Sequence, residues 1–137
     1  MKDGEILKVL QRGVMAAVTA SPLITSEFPI KFIGRSFTVP DDQKWLELVF
    51  LPNNRKDFWG DEKNYQGAFR VILHWPNDDE GAYGPLAVLG SIAAYFSKGL
   101  FLQNVQICET PDLTGVLEQG SETLYPATIR YQSFHQE

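Results

Sequence analysis

Hydrophobic residues recur along this chain with two different periods. A period of about 3.6 residues predicts helices, and a period of two predicts strands. Across residues 3–20, Ile6, Leu10 and Val14 belong to an apolar stripe that recurs about every 3.6 residues, which is typical of an amphipathic helix. Asp3 fits the N-cap of this helix, and Pro22 is expected to end it.

Alternation of apolar and polar positions predicts two central strands. In residues 45–51, Leu46 and Leu48 point to one side, and in residues 65–75, Phe69 and Val71 do the same. Neighbouring strands joined by a loop usually pair antiparallel. Three further elements follow: a helix over residues 84–98 and strands over residues 104–109 and 125–134.

The order of these elements predicts an α+β fold. Strands that come in adjacent pairs, with only two helices among them, favour an antiparallel or mixed sheet of about four to five strands with the two main helices packed on it. Residues 20–43 contain Pro22, Pro29 and Pro40, and we expect a loop, a short edge strand or a mobile arm there. The chain of 137 residues has the size of one domain, residues 1–137.

Composition narrows the class of protein. The net charge of −5 argues against a dedicated nucleic-acid-binding module, and the 44% of hydrophobic residues argues against wholesale disorder. Cys108 is the one cysteine, so no internal disulfide is possible and a reducing cytoplasm is expected. No apolar run is long enough to span a membrane, and the N-terminus does not resemble a signal peptide.

No catalytic constellation stands out. His74 is expected on an ordinary sheet face, His135 lies two residues from the end, and Cys108 has no His or Lys close to it in the sequence. The acidic residues Asp78, Asp79 and Glu80 are weak candidates for a Mg²⁺ or Ca²⁺ site, but they lack the spacing of a calcium loop. Their simpler role is to place negative charge before a helix N-terminus. We therefore expect neither an enzyme nor a cofactor.

The strongest surface feature is a charged loop that carries large aromatic residues. Such residues are enriched at interaction sites, although they can also fold back onto a sheet. The candidate interface residues are Phe58, Trp59, Gly60, Asp61, Glu62 and Tyr65.

This loop also carries a family resemblance. Residues 51–53, 58–61, 65–67 and 74–76, together with residues 126–131, resemble the tail terminator-like minor tail proteins of tailed bacteriophages, similar to the phage lambda minor tail protein U. The similarity runs along most of the chain and is weak in residues 20–43. It carries no catalytic residues.

The resemblance implies a structural protein of the virion tail that assembles in the host cytoplasm. Such proteins form a ring, commonly a hexamer, that caps the tail tube, ends tube polymerisation and provides the surface for head–tail joining. The implied partners are further copies of the chain, the tail tube protein and a head–tail connector protein, and DNA passes through the ring without specific binding. No membrane is implied.

Two alternatives stay open. A neighbouring neck or connector ring protein of the head–tail junction would have a related fold. A small metal- or ligand-binding domain, or an enzyme, would use His74 with Asp78, Asp79 and Glu80.

Overall fold

The computed structural model describes residues 3–53, 55–56 and 62–136, and two helices form within them. They are α1 (Asp3–Ala20) and α2 (Tyr83–Tyr95). α1 has the predicted bounds, whereas α2 ends at Tyr95 instead of at residue 98. The helix stops because Phe96 leaves helical geometry, with φ −93° and ψ 56°, and its side chain is fully buried in the core.

The strands of the described residues form one sheet. They are β1 (Ile30–Lys31), β2 (Trp45–Pro52), β3 (Arg55–Lys56), β4 (Glu62–Pro76), β5 (Phe101–Leu102), β6 (Val105–Ile107), β7 (Asp112–Leu113), β8 (Leu117–Gln119) and β9 (Glu122–Gln136). The main order is β1-β2-β4-β9-β6-β5, with β3 beside β4, and β7 and β8 beside β9.

The α+β class and the mixed sheet are confirmed, but the expected number of strands was too small. β1 pairs parallel with β2, and the other strand pairs are antiparallel. β1 is the short edge strand that was one possibility for residues 20–43. The strands beyond the expected four to five are β3, β5, β7 and β8, each of two or three residues. Strands this short hold too few positions for an alternating pattern to be recognised.

β4 is the centre of the sheet. Its ladder with β9 runs in one register from Glu62 opposite Gln136 to Pro76 opposite Glu122. On its other edge β4 pairs with β2 as far as Pro52 opposite Gly67, and with β3 in the same register. β2, β3 and β4 therefore belong to one long hairpin, which brackets residues 57–61.

The core lies between the helices and one face of the sheet. Alternate residues of β4 and β9 face it, and Phe69, Leu73 and Ile129 are almost fully buried. From the helices, Leu10 and Leu89 meet this face. Leu46 and Leu48 of β2 are buried, as are Phe69 and Val71 of β4, so the predicted inward side of these two strands is confirmed.

Residues 20–43 contribute an edge strand, which is one of the structures expected for them. The backbone N–H of Leu46 donates to the carbonyl of Pro29 at 2.9 Å, and that of Ile33 donates to Gln11 Oε1 of α1 at 3.1 Å. Phe28 and Phe32 pack against the core. The segment is thus tied to both α1 and β2.

Candidate functional site

Most of the predicted interface loop lies outside the described residues, namely Phe58, Trp59, Gly60 and Asp61. Glu62 begins β4, opposite Gln136 of β9. Tyr65 faces the core and is 9% exposed, so in the isolated chain its side chain is a packing residue. The interface role of these six residues stays a prediction.

β2 and β9 approach β4 closely at Gly67, which pairs with Pro52 on one side and with Tyr131 on the other. A Cβ on Gly67 would lie 2.4 Å from the carbonyl oxygen of Leu51 and 2.9 Å from the hydroxyl of Tyr131, so only glycine fits there. The ring of Tyr131 stacks on Phe50 with 5.8 Å between the centroids. An aromatic ring that fills the space beside a strand glycine fixes the register of the sheet.

The Tyr131 hydroxyl is buried and has no hydrogen-bond partner among the described residues. Burial raises the pKa of this group far above its usual value, and the charge of Asp3 raises it further. The hydroxyl is therefore protonated at any physiological pH.

The opposite face of the sheet carries a shallow depression of about 370 Å³ above Ala68. Cys108 borders it, and burial, followed by the charge of Glu109, raises the pKa of its thiol. A protonated thiol is a poor nucleophile, so Cys108 has none of the activation that catalysis needs.

His74 occupies a site that the sequence did not indicate. It is 7% exposed, and its ring stacks on Trp45 at 3.7 Å between the centroids. Nδ1 lies 2.6 Å from Glu122 Oε1, and Nε2 lies 2.8 Å from Glu47 Oε1. Because both ring nitrogens already have carboxylate partners, neither is free for acid–base chemistry, and the cluster joins β2, β4 and β9.

The acidic residues before α2 are solvent-exposed. Asp78 Oδ1 accepts hydrogen bonds from the backbone N–H groups of Glu80 and Gly81, at 2.9 and 3.2 Å, which shapes the turn into α2. Within the described part of the chain, no group of three His, Cys, Asp or Glu residues is placed to hold a metal ion. The metal role of Asp78, Asp79 and Glu80 gains no support from this arrangement.

The most unusual surface belongs to α2, which has no charged residue in its 13 positions. Its inner side is buried, yet Tyr83, Ala87, Gly90 and Ala94 follow one another at helical spacing on the side turned away from the core. Tyr83 is 87% exposed, and the other three are small. The uncharged sequence YGPLAVLGSIAAY is the signal that sequence reasoning missed.

Larger apolar residues of the sheet edge extend this surface. Leu113 of β7 borders a depression of about 290 Å³ with Gly90 and Ala94. Val116, which precedes β8, borders a second depression of about 330 Å³ beside the start of α2. Both side chains are about half exposed. We call Tyr83, Ala87, Gly90, Ala94, Leu113 and Val116 the α2 surface.

A second apolar surface lies near β1, at the other margin of the sheet. Met15 of α1 is 51% exposed and borders a groove of about 310 Å³. We call Met15, Phe28, Pro29 and Phe32, which line this groove, the β1 surface. The guanidinium of Arg35 lies 5.6 Å from the centre of the Phe32 ring.

In this α+β domain the buried His74 and Tyr131 have structural roles, and apolar side chains are exposed at two margins of the sheet. The phage tail terminator protein family matches residues 5–131, and the chain belongs to this family. It is therefore a structural protein of the phage tail that associates with other tail proteins. The predicted family is confirmed, while the narrower likeness to the phage lambda minor tail protein U stays a prediction.

A solved structure shares the fold of this chain. One solved structure, whose name describes no function, covers 100% of this chain and 99% of its own at 20% identity, with a TM-score of 0.79. That likeness shows the fold alone. Among curated proteins, none matches the sequence. Neither described helix is long and apolar enough to cross a membrane.

Proposed function

We propose that this protein forms a ring on the end of the phage tail tube, where it ends tube polymerisation and presents the surface to which the head is joined. The match of the tail terminator family to residues 5–131 carries this proposal. The ring, its hexameric form and the capping step rest on the resemblance stated above. The partners are further copies of the chain, the tail tube protein and a head–tail connector protein.

The placement of the apolar surfaces supports a ring. The α2 surface borders β7 and β8, which pair with the outer edge of β9, and the β1 surface borders the strand at the far end of the sheet order. A cyclic ring needs two different patches on each subunit, because one patch meets the other patch of the next copy. Two unlike patches at opposite margins meet this requirement.

The charge of the chain supports a conduit for DNA. Each subunit has a net charge of −5, so a ring of several copies would be strongly acidic. An acidic channel repels the phosphate backbone and would let DNA pass without gripping it. The aromatic loop with Trp59 is proposed as a contact with the tail tube or with a neighbouring copy.

Tail length in a phage that lacks this gene tests the proposal. We expect tails longer than those of the wild type, because tube growth is no longer stopped, and return to normal length when the gene is supplied in trans. Electron micrographs of the lysate give the length distribution. Tails of normal length beside unattached heads would instead assign the protein to the neck.

A second measurement addresses the metal- or ligand-binding alternative. We expect divalent ions and nucleotides to leave the melting temperature unchanged. A large, saturable increase that disappears when Asp78, Asp79 and Glu80 are replaced by Asn or Gln would contradict a purely structural role.

A further inference from the structure

We infer that two free copies of this chain form a symmetric dimer in which the α2 helices of the two copies lie antiparallel against each other. The partner is thus a second copy, and the contact is the α2 surface on both sides. The inference goes beyond the proposed ring, because it concerns the chain before it reaches a tail. Since the α2 surface is one of the two patches proposed for the ring, such a dimer has to open before its copies join a ring.

The spacing of the exposed residues along α2 is the first reason. Tyr83, Ala87, Gly90 and Ala94 are separated by four, three and four positions, so the row has the same spacing from either end. A two-fold axis that is perpendicular to the helix and midway between Ala87 and Gly90 therefore places Tyr83 of each copy opposite Ala94 of the other. The same axis places Ala87 opposite Gly90, so all four positions are matched at once.

The shapes along this row are the second reason. Tyr83 is the one large side chain of the row, and it is 87% exposed in the single chain. Near the other end of the row, Gly90, Ala94 and Leu113 border a depression of about 290 Å³, and the two-fold axis brings Tyr83 of the other copy to it. An aromatic ring that fills a pocket of the partner is typical of strong contacts between proteins. Small residues at the centre of the row let the two helix axes approach closely.

The charges at the two ends of α2 are the third reason. Among the described residues, Asp78 and Glu118 are the charged ones that line the depression beside the start of α2. Lys98 is the charged one that lines the depression near the end of α2. In the antiparallel dimer, each acidic end therefore meets the basic end of the other copy, and this happens twice.

Both carboxylates lie on the side of the sheet that α2 covers. Glu118 is opposite Thr123 in the ladder of β8 with β9, and Thr123 and Tyr125 are both buried on that side. Burial raises the pKa of the Tyr125 hydroxyl, a hydrogen bond with Thr123 lowers it, and the charges of Glu118 and Asp78 raise it further. These charges act on Tyr125 because they are near it.

The two depressions also lie along the same flank of α2. Val116 and Glu118, at the start of β8, border one of them, and Leu113 of β7 borders the other. Rotation about an axis perpendicular to the helix exchanges the ends of α2 and keeps its flanks in place. The acidic depression of one copy therefore comes to the same flank as the basic depression of the other.

The charges exclude the parallel arrangement of the two helices. A parallel dimer would bring Asp78 and Glu118 of both copies to one end of the contact, and Lys98 of both copies to the other end. Like charges would then be close together at each end, which is unfavourable. The charges thus select the antiparallel arrangement that the spacing of the row also favours.

Sedimentation of the free chain is the first test. The wild type should sediment as a dimer within concentrations up to about 1 mM, where even weak contacts are populated. Tyr83→Ala should weaken the dimer about tenfold or more, because the ring is lost at two places, and it should leave the melting temperature unchanged, because the residue is exposed. Phe101→Ala removes another exposed aromatic ring, from β5 outside the α2 surface, and is the matched control that should change nothing.

Exchange of the charges tests the direction of the helices. Lys98→Glu alone and Glu118→Lys alone each bring like charges together at both ends of the dimer, and each should weaken it about tenfold. The double variant exchanges the two charges within one chain. It should restore most of the association, because residue 118 of each copy is again near an opposite charge at residue 98 of the other. A parallel contact predicts no such recovery.

Four outcomes overturn the inference: a wild-type chain that sediments as a monomer or as a ring, Tyr83→Ala that dimerises like the wild type, Phe101→Ala that loses as much, or a double variant that does not recover. If Lys98→Glu melts early because it places negative charge at the end of α2, Lys98→Gln replaces it and should still weaken the dimer. A monomeric free chain together with over-long tails in the deletion phage would refute the dimer and not the proposed function. A dimer together with normal tails would do the reverse.

Discussion

The two helices bury their inner sides in the same core and differ in what they show to water. α1 buries residues such as Ile6 and Leu10, and exposes the charged Lys8 and Arg12. α2 buries Val88, Leu89 and Ile92, and has no charged residue on any side. The inner sides are thus alike, and only the outer sides set the helices apart.

This difference indicates which surface of the molecule contacts a partner. A helix side that stays in water carries charged residues, as the outer side of α1 does at Lys8 and Arg12, although Met15 of the β1 surface is also exposed there. Stability of the isolated chain does not require the outer side of α2 to lack charge, because that side contributes nothing to the core. The uncharged outer side, with its exposed tyrosine and small residues, is therefore best explained by a contact between molecules.

The largest effect should come from truncation on the inner sides. Leu10→Ala and Leu89→Ala each remove a fully buried side chain, and each should lower the free energy of unfolding by about 2–5 kcal/mol in chemical denaturation. A much smaller loss for Leu89→Ala would mean that α2 is not docked in the free chain, and the comparison of the two helices would fail.

The next effect should come from charge on the outer side of α2. Ala87→Lys should leave the free energy of unfolding within about 0.5 kcal/mol, because the residue is exposed and lysine is a good helix former. It should weaken association about 10- to 100-fold in sedimentation, since a long charged side chain would be desolvated in the contact. Asn104→Lys, in the exposed turn between β5 and β6, introduces the same charge outside the α2 and β1 surfaces and is the matched control. An equal loss of association there would show that the effect of Ala87→Lys is not specific to α2.

Trp59→Ala asks whether the aromatic loop adds a second contact. We expect association, or docking to tubes, to weaken about tenfold with an unchanged melting temperature, since tryptophan is enriched among residues that dominate interfaces. A variant that melts early while association stays normal would place Trp59 in the core. Combining it with Ala87→Lys shows whether the two effects add, as they should for separate contacts.

The smallest change in stability is expected when a glycine is replaced by alanine in each helix. Gly90→Ala should raise the free energy of unfolding by about 0.5–1 kcal/mol, because an added Cβ meets no atom within 4 Å. In Gly13→Ala the Cβ would lie 3.0 Å from both Leu102 Cδ1 and Phe96 Cε1, so crowding should cancel this gain or exceed it. Opposite signs would confirm that Gly90, unlike Gly13, has open space beside it; equal gains would contradict it.

Periodic segments of the chain were predictable because their burial is regular. The helix over residues 3–20 and the alternation in β2 and β4 depend on local spacing, and the structure keeps both. The strands predicted over residues 65–75 and 125–134 were too short. Residues 62–64 belong to β4 and residues 135–136 to β9, but they are polar and resemble a loop in the sequence. Their strand structure comes from the pairing of β4 with β9, which is distant in sequence.

The environment of His74 was not predictable for the same reason. Its carboxylate partners, Glu47 and Glu122, are 27 and 48 residues away in the chain and meet it only when β2, β4 and β9 are side by side. The α2 surface is a different case. Its lack of charge is visible in the sequence, but its exposure is known only once the opposite side of the helix has been packed.

The central position of β4 sets an order in which the molecule opens. Its amides are bonded to β2 and β3 on one edge and to β9 on the other, so they should be among the last to exchange their hydrogens with solvent. β7 and β8 hold to β9 by two and three residue pairs and can open at far lower cost. The strands β7 and β8 beside α2 can therefore open locally and adjust to a neighbouring molecule, while the hydrogen bonds at the centre of the sheet stay formed.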